Sequence, residues 1–235
     1  MAIYVIADLH LSFKSPKPMN IFGDNWDNHE EKIKQDWISK VKEDDIVVLP
    51  GDFSWAMSLN DAYLDFKYLN ELPGKKILLK GNHDYWWTTM TKMRNYIKEN
   101  NFNTIDFLFN NSFLYEGIIL TGTRGWSLHD LEGEGKILNR ELGRLELSLN
   151  EGIEKYGEDK TIYVFMHYPP ITNSAILNKL ELTFIETMKK YNVEKCFYGH
   201  LHSHSHKDAI EGNIEGIDLK LISADYLDFK LMKIN

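Results

Sequence analysis

The chain has 235 residues, 43% hydrophobic and 26% charged, a composition that argues for one globular unit over 1–235 and against disorder. A formal charge of −8 opposes non-specific attraction to a long polyanion, so duplex nucleic acid is not an expected partner and a small phosphorylated substrate is easier to accept. No apolar run reaches the roughly 18 residues that span a bilayer, no basic leader precedes the first strand, and a single cysteine, Cys196, fits a reducing cytosol, so a cytoplasmic location is expected.

Ile3 to Ala7 reads as a first strand that ends at Asp8-Leu9-His10. A loop rich in Pro, Gly, Asn and Asp follows from Ser12 to Asn28; its aromatics Phe13, Phe22 and Trp26 could line a cleft, although packing the loop onto the core is the commoner use. Helical spacing of Ile33, Trp37, Ile38 and Val41 predicts a helix over 29–41, with His29 exposed at its start. Ile46 to Leu49 forms the second strand, closed by Pro50-Gly51-Asp52. Asn60 has the chemistry of an N-cap for a helix running to about Leu72. The third strand, Ile77 to Leu79, stops at Gly81-Asn82-His83-Asp84, and Thr88 or Thr89 starts the next helix. This alternation is that of a sheet covered by helices.

From Thr104 the texture changes to short strands: 105–109, 112–115 and 118–121. The turns Asn110-Asn111 and Glu116-Gly117 suggest that these are antiparallel neighbours. Gly122-Thr123-Arg124-Gly125-Trp126 leads into an acidic loop expected to end near Gly135. Lys136 to Tyr156 carries an apolar stripe, Leu138, Leu142, Leu145, Leu149 and Ile153, of a long amphipathic helix. Thr161 to Met166 is a buried strand ending at His167, and 182–191 is helical. Lys195 to Tyr198 is a strand ending at Gly199-His200-Leu201-His202, and the tail 210–234 alternates turns and short strands.

Strand after strand thus stops at a metal-binding type of residue: Asp8 and His10, Asp52, Asn82 and His83, His167, then His200 and His202. Ligands of open α/β sheets collect at such ends. The inventory is too rich for one tetrahedral ion and lacks the thiolates of a structural zinc site. Two divalent ions sharing a carboxylate suit it, a geometry that clamps the attacking and leaving oxygens of phosphoryl transfer. Mixed nitrogen and oxygen donors fit Mn, Fe, Zn or Co.

Taken together, Asp8-x-His10, Gly51-Asp52, Gly81-Asn82-His83-Asp84, His167 and Gly199-His200-x-His202 resemble the signature of the calcineurin-like metallophosphoesterases, and Gly122 to Trp126 is similar to a segment of a small bacterial subgroup. The resemblance implies an α/β (α+β) fold in which two mixed β-sheets form a sandwich flanked by helices, a four-layer αββα architecture. It implies that Asp8, His10 and His202 hold one metal, that Asn82, His167 and His200 hold the other, and that Asp52 bridges them. It further implies that His83 protonates the leaving group or stabilises developing charge, with Asp84 orienting its ring. The expected reaction is hydrolysis of a small phosphate ester, a diester slightly favoured, by a hydroxide shared between the metals. A phosphomonoesterase or a nucleotide pyrophosphatase is the alternative enzyme. A binding scaffold of the same fold is the alternative class, but it would show missing ligands, and here every position is filled.

Around this set stand residues with a second use. Arg124, between two glycines after a strand, is placed to reach a phosphate as readily as to form a surface ion pair. Trp86 and Trp87 offer a stacking wall, although core packing is the commoner fate at a loop-to-helix junction. His204 and His206 would share a face with His200 and His202 if the chain stayed extended, and His129 lies in a loop that could cover the site.

Overall fold

The computed structural model describes residues 1–14, 16–127, 131–173 and 183–235. One sheet has the order β11-β1-β2-β3-β4, where β1 is Ile3–Val5, β2 Ile46–Pro50, β3 Lys75–Leu79, β4 Ile105–Phe107 and β11 Met232–Lys233. Strands β1 to β4 run parallel and β11 is antiparallel to β1. The other sheet has the order β5-β6-β7-β8-β10-β9, built from β5 Phe113–Tyr115, β6 Ile118–Thr123, β7 Thr161–Met166, β8 Lys195–Tyr198, β9 Gly212–Ile214 and β10 Ile217–Leu221. Its four central strands are parallel and its two edges antiparallel.

Period-two alternation explains the layers. On β1, β2 and β3, Ile3, Val5, Ile46, Val48, Ile77 and Leu79 face one buried cluster, which they share with Leu120, Tyr163, Phe165 and Phe197 of the other sheet. The alternate residues Tyr4, Val47, Leu49 and Leu78 turn outward and pack with residues of helices α1 (His29–Lys40), α2 (Tyr63–Glu71) and α3 (Met90–Glu99). On the far side, Ile162, Val164, Met166, Cys196 and Tyr198 pack with α4 (Leu131–Tyr156) and α5 (Thr183–Lys190). The result is helix, sheet, sheet, helix. The α4 stripe of Leu138, Leu142, Leu145, Leu149 and Ile153 lies in that last layer.

Four local expectations are corrected. His29 is buried rather than exposed, because its two ring nitrogens lie 3.1 and 3.0 Å from the carbonyls of Trp26 and Leu9. Helix α2 begins at Tyr63, since Asn60 and Asp61 belong to a turn in which Ser58 Oγ donates to Asp61 Oδ2 (2.6 Å). Helix α4 begins at Leu131, ahead of the loop end expected at Gly135. Only β5 and β6 form the expected hairpin, across Glu116-Gly117; β4 joins the first sheet as a parallel strand, so Asn110-Asn111 carries the chain from one sheet to the other. Short strands with similar patterns do not by themselves reveal which sheet they enter.

Candidate metal centre

The strands β1, β2 and β8 end at the site in turns of left-handed backbone. Asp8, His10, Asp52 and His200 have φ of 62°, 47°, 51° and 74°, a region that non-glycine residues rarely occupy. Main-chain bonds hold these turns together. The N–H of Asp8 donates to Gly51 O at 3.0 Å, His10 N–H to Asp52 O at 2.9 Å, and His200 N–H to Asp8 Oδ2 at 2.9 Å. Such strain persists where the surroundings over-determine it, and it gathers at functional sites. Gly81 is required for another reason: a Cβ there would run into the main-chain nitrogen and carboxylate of Asp52.

The turns bring two sets of ligand atoms together. Asp8, His10 and His202 each offer one atom within 4.8 Å of the others, and so do Asp52, His167 and His200. Asn82 joins the second set, its Oδ1 lying 2.6 Å from His167 Nε2 and 2.9 Å from His200 Nδ1. Asp52 Oδ2 lies between the sets, 3.5 Å from His167 Nε2 and 3.8 Å from His10 Nε2.

These residues fit divalent ions. Donors bound at about 2.0–2.2 Å to one cation stand roughly 3 Å or a little more apart, and His10 Nε2 and His202 Nε2 are 3.2 Å apart. Asp8 Oδ1 is buried without a hydrogen-bond partner. Tautomers agree as well. His167 Nδ1 faces Pro50 O at 3.2 Å and His202 Nδ1 faces Asp225 Oδ1 at 2.8 Å, so each Nε2 presents a lone pair to the centre.

The sequence profile of the calcineurin-like phosphoesterases matches residues 1–204. The chain belongs to that family. It is therefore a metal-dependent phosphoester hydrolase. Phosphopantetheinyl hydrolase from Mycobacterium tuberculosis superposes with a TM-score of 0.56 at 13% identity, covering 99% of this chain and 95% of that one. A protein of unknown function from Aquifex aeolicus gives 0.50 at 19% identity, covering 99% and 95%. At these identities the likeness is one of fold. Gene 66 protein of Mycobacterium phage L5 is 30% identical over 78 residues, which is 33% of this chain and 37% of that protein.

In the phosphoesterase, burial sets the electrostatics of the ligands. It pushes the Asp8 carboxyl up to about 8, with His202 opposing and Asp52 adding. It pushes Asp52 up and holds His10 and His167 well below the ordinary imidazole value. For His202, burial lowers the pKa, but the charges of Asp8 and Asp225 outweigh it and the net direction is up. A divalent cation favours both the ionised carboxylates and the unprotonated imidazoles, which is the state this donor set needs.

His83 stands beside the ligands. Its ring is 5.9 Å from that of His10, and its main-chain N–H donates to Asp52 Oδ1 at 2.8 Å. Asp84, expected to orient that ring, is engaged elsewhere. Its carboxylate accepts from the main-chain N–H groups of Gly81, Asp52, Phe53 and Ser54 at 2.7–3.2 Å and from Trp86 Nε1 at 2.9 Å. Burial and the neighbouring Asp52 push its pKa up to about 7, against the pull of those donors. Asp84 thus fastens two turns to each other. Trp86 is its partner and is buried, so it is not an open stacking wall; Trp87 is half-buried against the same core.

Asp225 and Trp55 are additions that strand-end reasoning from Asp8 to His202 did not reach. Asp225 holds His202 Nδ1 and the Ser203 N–H (3.0 Å), with His206 Nε2 3.3 Å away. It follows β10, so the rule that picked out the other ligands extends to it. Trp55 stacks on His10 with centroids 4.9 Å apart and lies 4.4 Å from His83. The segment Ser203–Asp208 is a short 3-10 helix rather than an extended run, so His204 and His206 do not continue a common face; His204 is exposed. Arg124 presents its carbonyl to the N–H groups of His167 and Tyr168 at 3.2 and 3.0 Å, and its guanidinium pairs with Glu141 at 3.8 Å. His129 lies outside the described residues.

Proposed function

We propose that the phosphoesterase hydrolyses a small phosphodiester at a dinuclear centre. Asp8, His10 and His202 hold one ion, Asn82, His167 and His200 hold the second, and Asp52 joins them. His83 carries the reading, because it is the ring beside the ligands with a nitrogen left over for substrate. Bound divalent ions lower the pKa of water and offset charge on phosphoryl oxygens. The protein's own part is to aim the departing oxygen at His83. Asp52 pins the His83 main chain, and burial lowers the ring's pKa so that it is neutral with a single N–H. His83 Nδ1 is buried without a partner, which leaves Nε2 as the nitrogen that reaches the open side. Trp55 at 4.4 Å and the exposed Tyr85 at 6.2 Å give that side aromatic walls suited to the organic arm of a diester.

A second reading has its own observation. Lys80, Arg124, Arg140 and Arg144 line a cleft beside the centre, and extra cations suit the dianion of a phosphomonoester or a pyrophosphate. The test is His83→Ala on matched diesters with alkoxide and nitrophenolate leaving groups. Metal content should stay near that of the parent. Turnover should fall about 10²–10⁴-fold for the alkoxide and far less for the nitrophenolate, which departs without a proton. Equal losses on both would contradict proton delivery by His83. A parent that strongly prefers the matched monoester would promote the second reading.

A further inference from the structure

We propose that the cleft lined by Lys80, Trp87, Phe109, Arg124, Arg140 and Arg144 is a second anion site, which takes a phosphate group at the far end of the substrate. The proposal rests on the hydrolase reading above and narrows its substrate to esters that carry an additional phosphate.

The cleft encloses about 630 Å³, enough for a phosphate and a flat or apolar group attached to it. Its cations come from three elements that meet only in the fold. Lys80 follows β3, Arg124 follows β6, and Arg140 and Arg144 stand one turn apart on the same face of α4. Among the described residues the ion pairs of the three arginines all go to one carboxylate, Glu141. It is fully buried, with Oε1 2.5 Å from Arg144, 3.6 Å from Arg140 and 3.8 Å from Arg124. Its other oxygen accepts from Thr123 Oγ1 at 2.9 Å, so it has little left to offer. The cleft is therefore positive in a chain whose formal charge is −8.

Several features mark it as a prepared site. Arg124 Nε is buried and has no hydrogen-bond partner. The guanidinium groups lie over aromatic rings, Arg124 4.6 Å from the Trp126 centroid and Arg144 5.0 Å from that of Phe109, which limits their motion and leaves their N–H edges to bind. Lys80 is half-buried at the wall of the cleft. Trp87 and Phe109, 6.4 Å apart, provide the apolar wall.

The cleft also adjoins the chemistry. Lys80 is two residues before Asn82, and the Arg124 carbonyl receives the main-chain N–H of His167. A substrate whose scissile phosphorus sits at the metal ligands can thus extend a short arm to the guanidinium groups. Phosphate fits them better than carboxylate, since its three oxygens can engage forks from more than one arginine.

The experiment compares two diesters in the metal-loaded full chain, identical except that one arm ends in a phosphate and the other in a hydroxyl. The parent should show kcat/KM at least tenfold higher for the phosphorylated arm, expressed in KM. Arg140→Glu, at a solvent-exposed position, and Arg144→Ala should each remove most of that preference. No preference in the parent, or a preference retained in both variants, overturns the proposal. Inorganic phosphate separates the two sources of the anion. If it alters hydroxyl-arm turnover through Arg140 while the phosphorylated arm gives no gain, the cleft serves free phosphate and the substrate assignment is wrong. Failure to turn over either ester would strike the hydrolase reading instead. Calorimetric titration with inorganic phosphate then decides the cleft by itself. Binding at least tenfold weaker in Arg140→Glu supports the site, and equal binding overturns it.

Discussion

The two sheets contribute to the centre in different ways. The ends of β1, β2 and β3 supply Asp8, His10, Asp52 and Asn82, which include all its oxygen donors. They are held mostly through the backbone: turns bonded to turns, with Asp84 collecting four main-chain N–H groups beneath them. The ends of β7 and β8 supply imidazoles alone: Pro50 O holds the His167 ring and Asp225 the His202 ring, while the main-chain N–H of His200 donates to Asp8 Oδ2. Neither sheet completes a set, because Asp8 and His10 need His202, and Asp52 needs His167 and His200. Each candidate metal-binding group is thus assembled across the two sheets. The oxygen side is built into the turns, and on the imidazole side Asp225 is a side-chain partner that can be altered singly.

The comparison breaks most sharply at Asp52, whose Oδ2 stands 3.5 Å from His167 Nε2 of one set and 3.8 Å from His10 Nε2 of the other. Asp52→Asn should lower turnover by about 10³-fold or more and reduce bound metal together with it, a larger loss than Asp8→Asn produces. Metal analysis and kinetics on the same samples check this. Next comes Asp84→Asn, which keeps the shape but replaces one acceptor oxygen with a donor facing N–H groups. A loss of about 3 kcal/mol is expected, a fall in melting temperature of about 6–12 °C. An unchanged melting temperature would mean that the fastening of the turns is not what Asp84 contributes.

On the imidazole side the effect should be smaller and confined to metal affinity. Asp225→Asn should weaken metal binding about 10–100-fold, with turnover recovering as metal is raised and little change in folding. Loss of kcat at saturating metal would show a different role. Smallest of all is Trp86→Phe, which removes one hydrogen bond to Asp84 and should cost about 1 kcal/mol of stability. KM for an aromatic diester should not rise, since Trp86 is core rather than a substrate wall.

What the sequence made legible follows the same division. Candidate ligands set directly after apolar strands could be picked out one by one, because strand-end position and residue chemistry coincide at Asp8, Asp52, Asn82, His167 and His200. The layers were readable from alternation on β1, β2, β3, β7 and β8. Contacts between segments far apart in the chain were not. Asp84 resembles a partner for the adjacent His83, yet it bonds to a turn some 30 residues away. His29 looks exposed among Glu30 and Glu31, yet the carbonyls of Trp26 and Leu9 draw it inside. The basic cleft draws on β3, β6 and α4, so no local window contains it.

The most direct test measures metal content and activity in one sample of the unmodified chain. The account predicts two divalent ions per chain, activity that disappears as a chelator removes them, and recovery when Mn, Fe, Zn or Co is restored. Removal should also lower the melting temperature, because ions that bind the folded chain at about 100 times their Kd contribute about 2.7 kcal/mol. Full activity in a sample shown to contain no metal would contradict it.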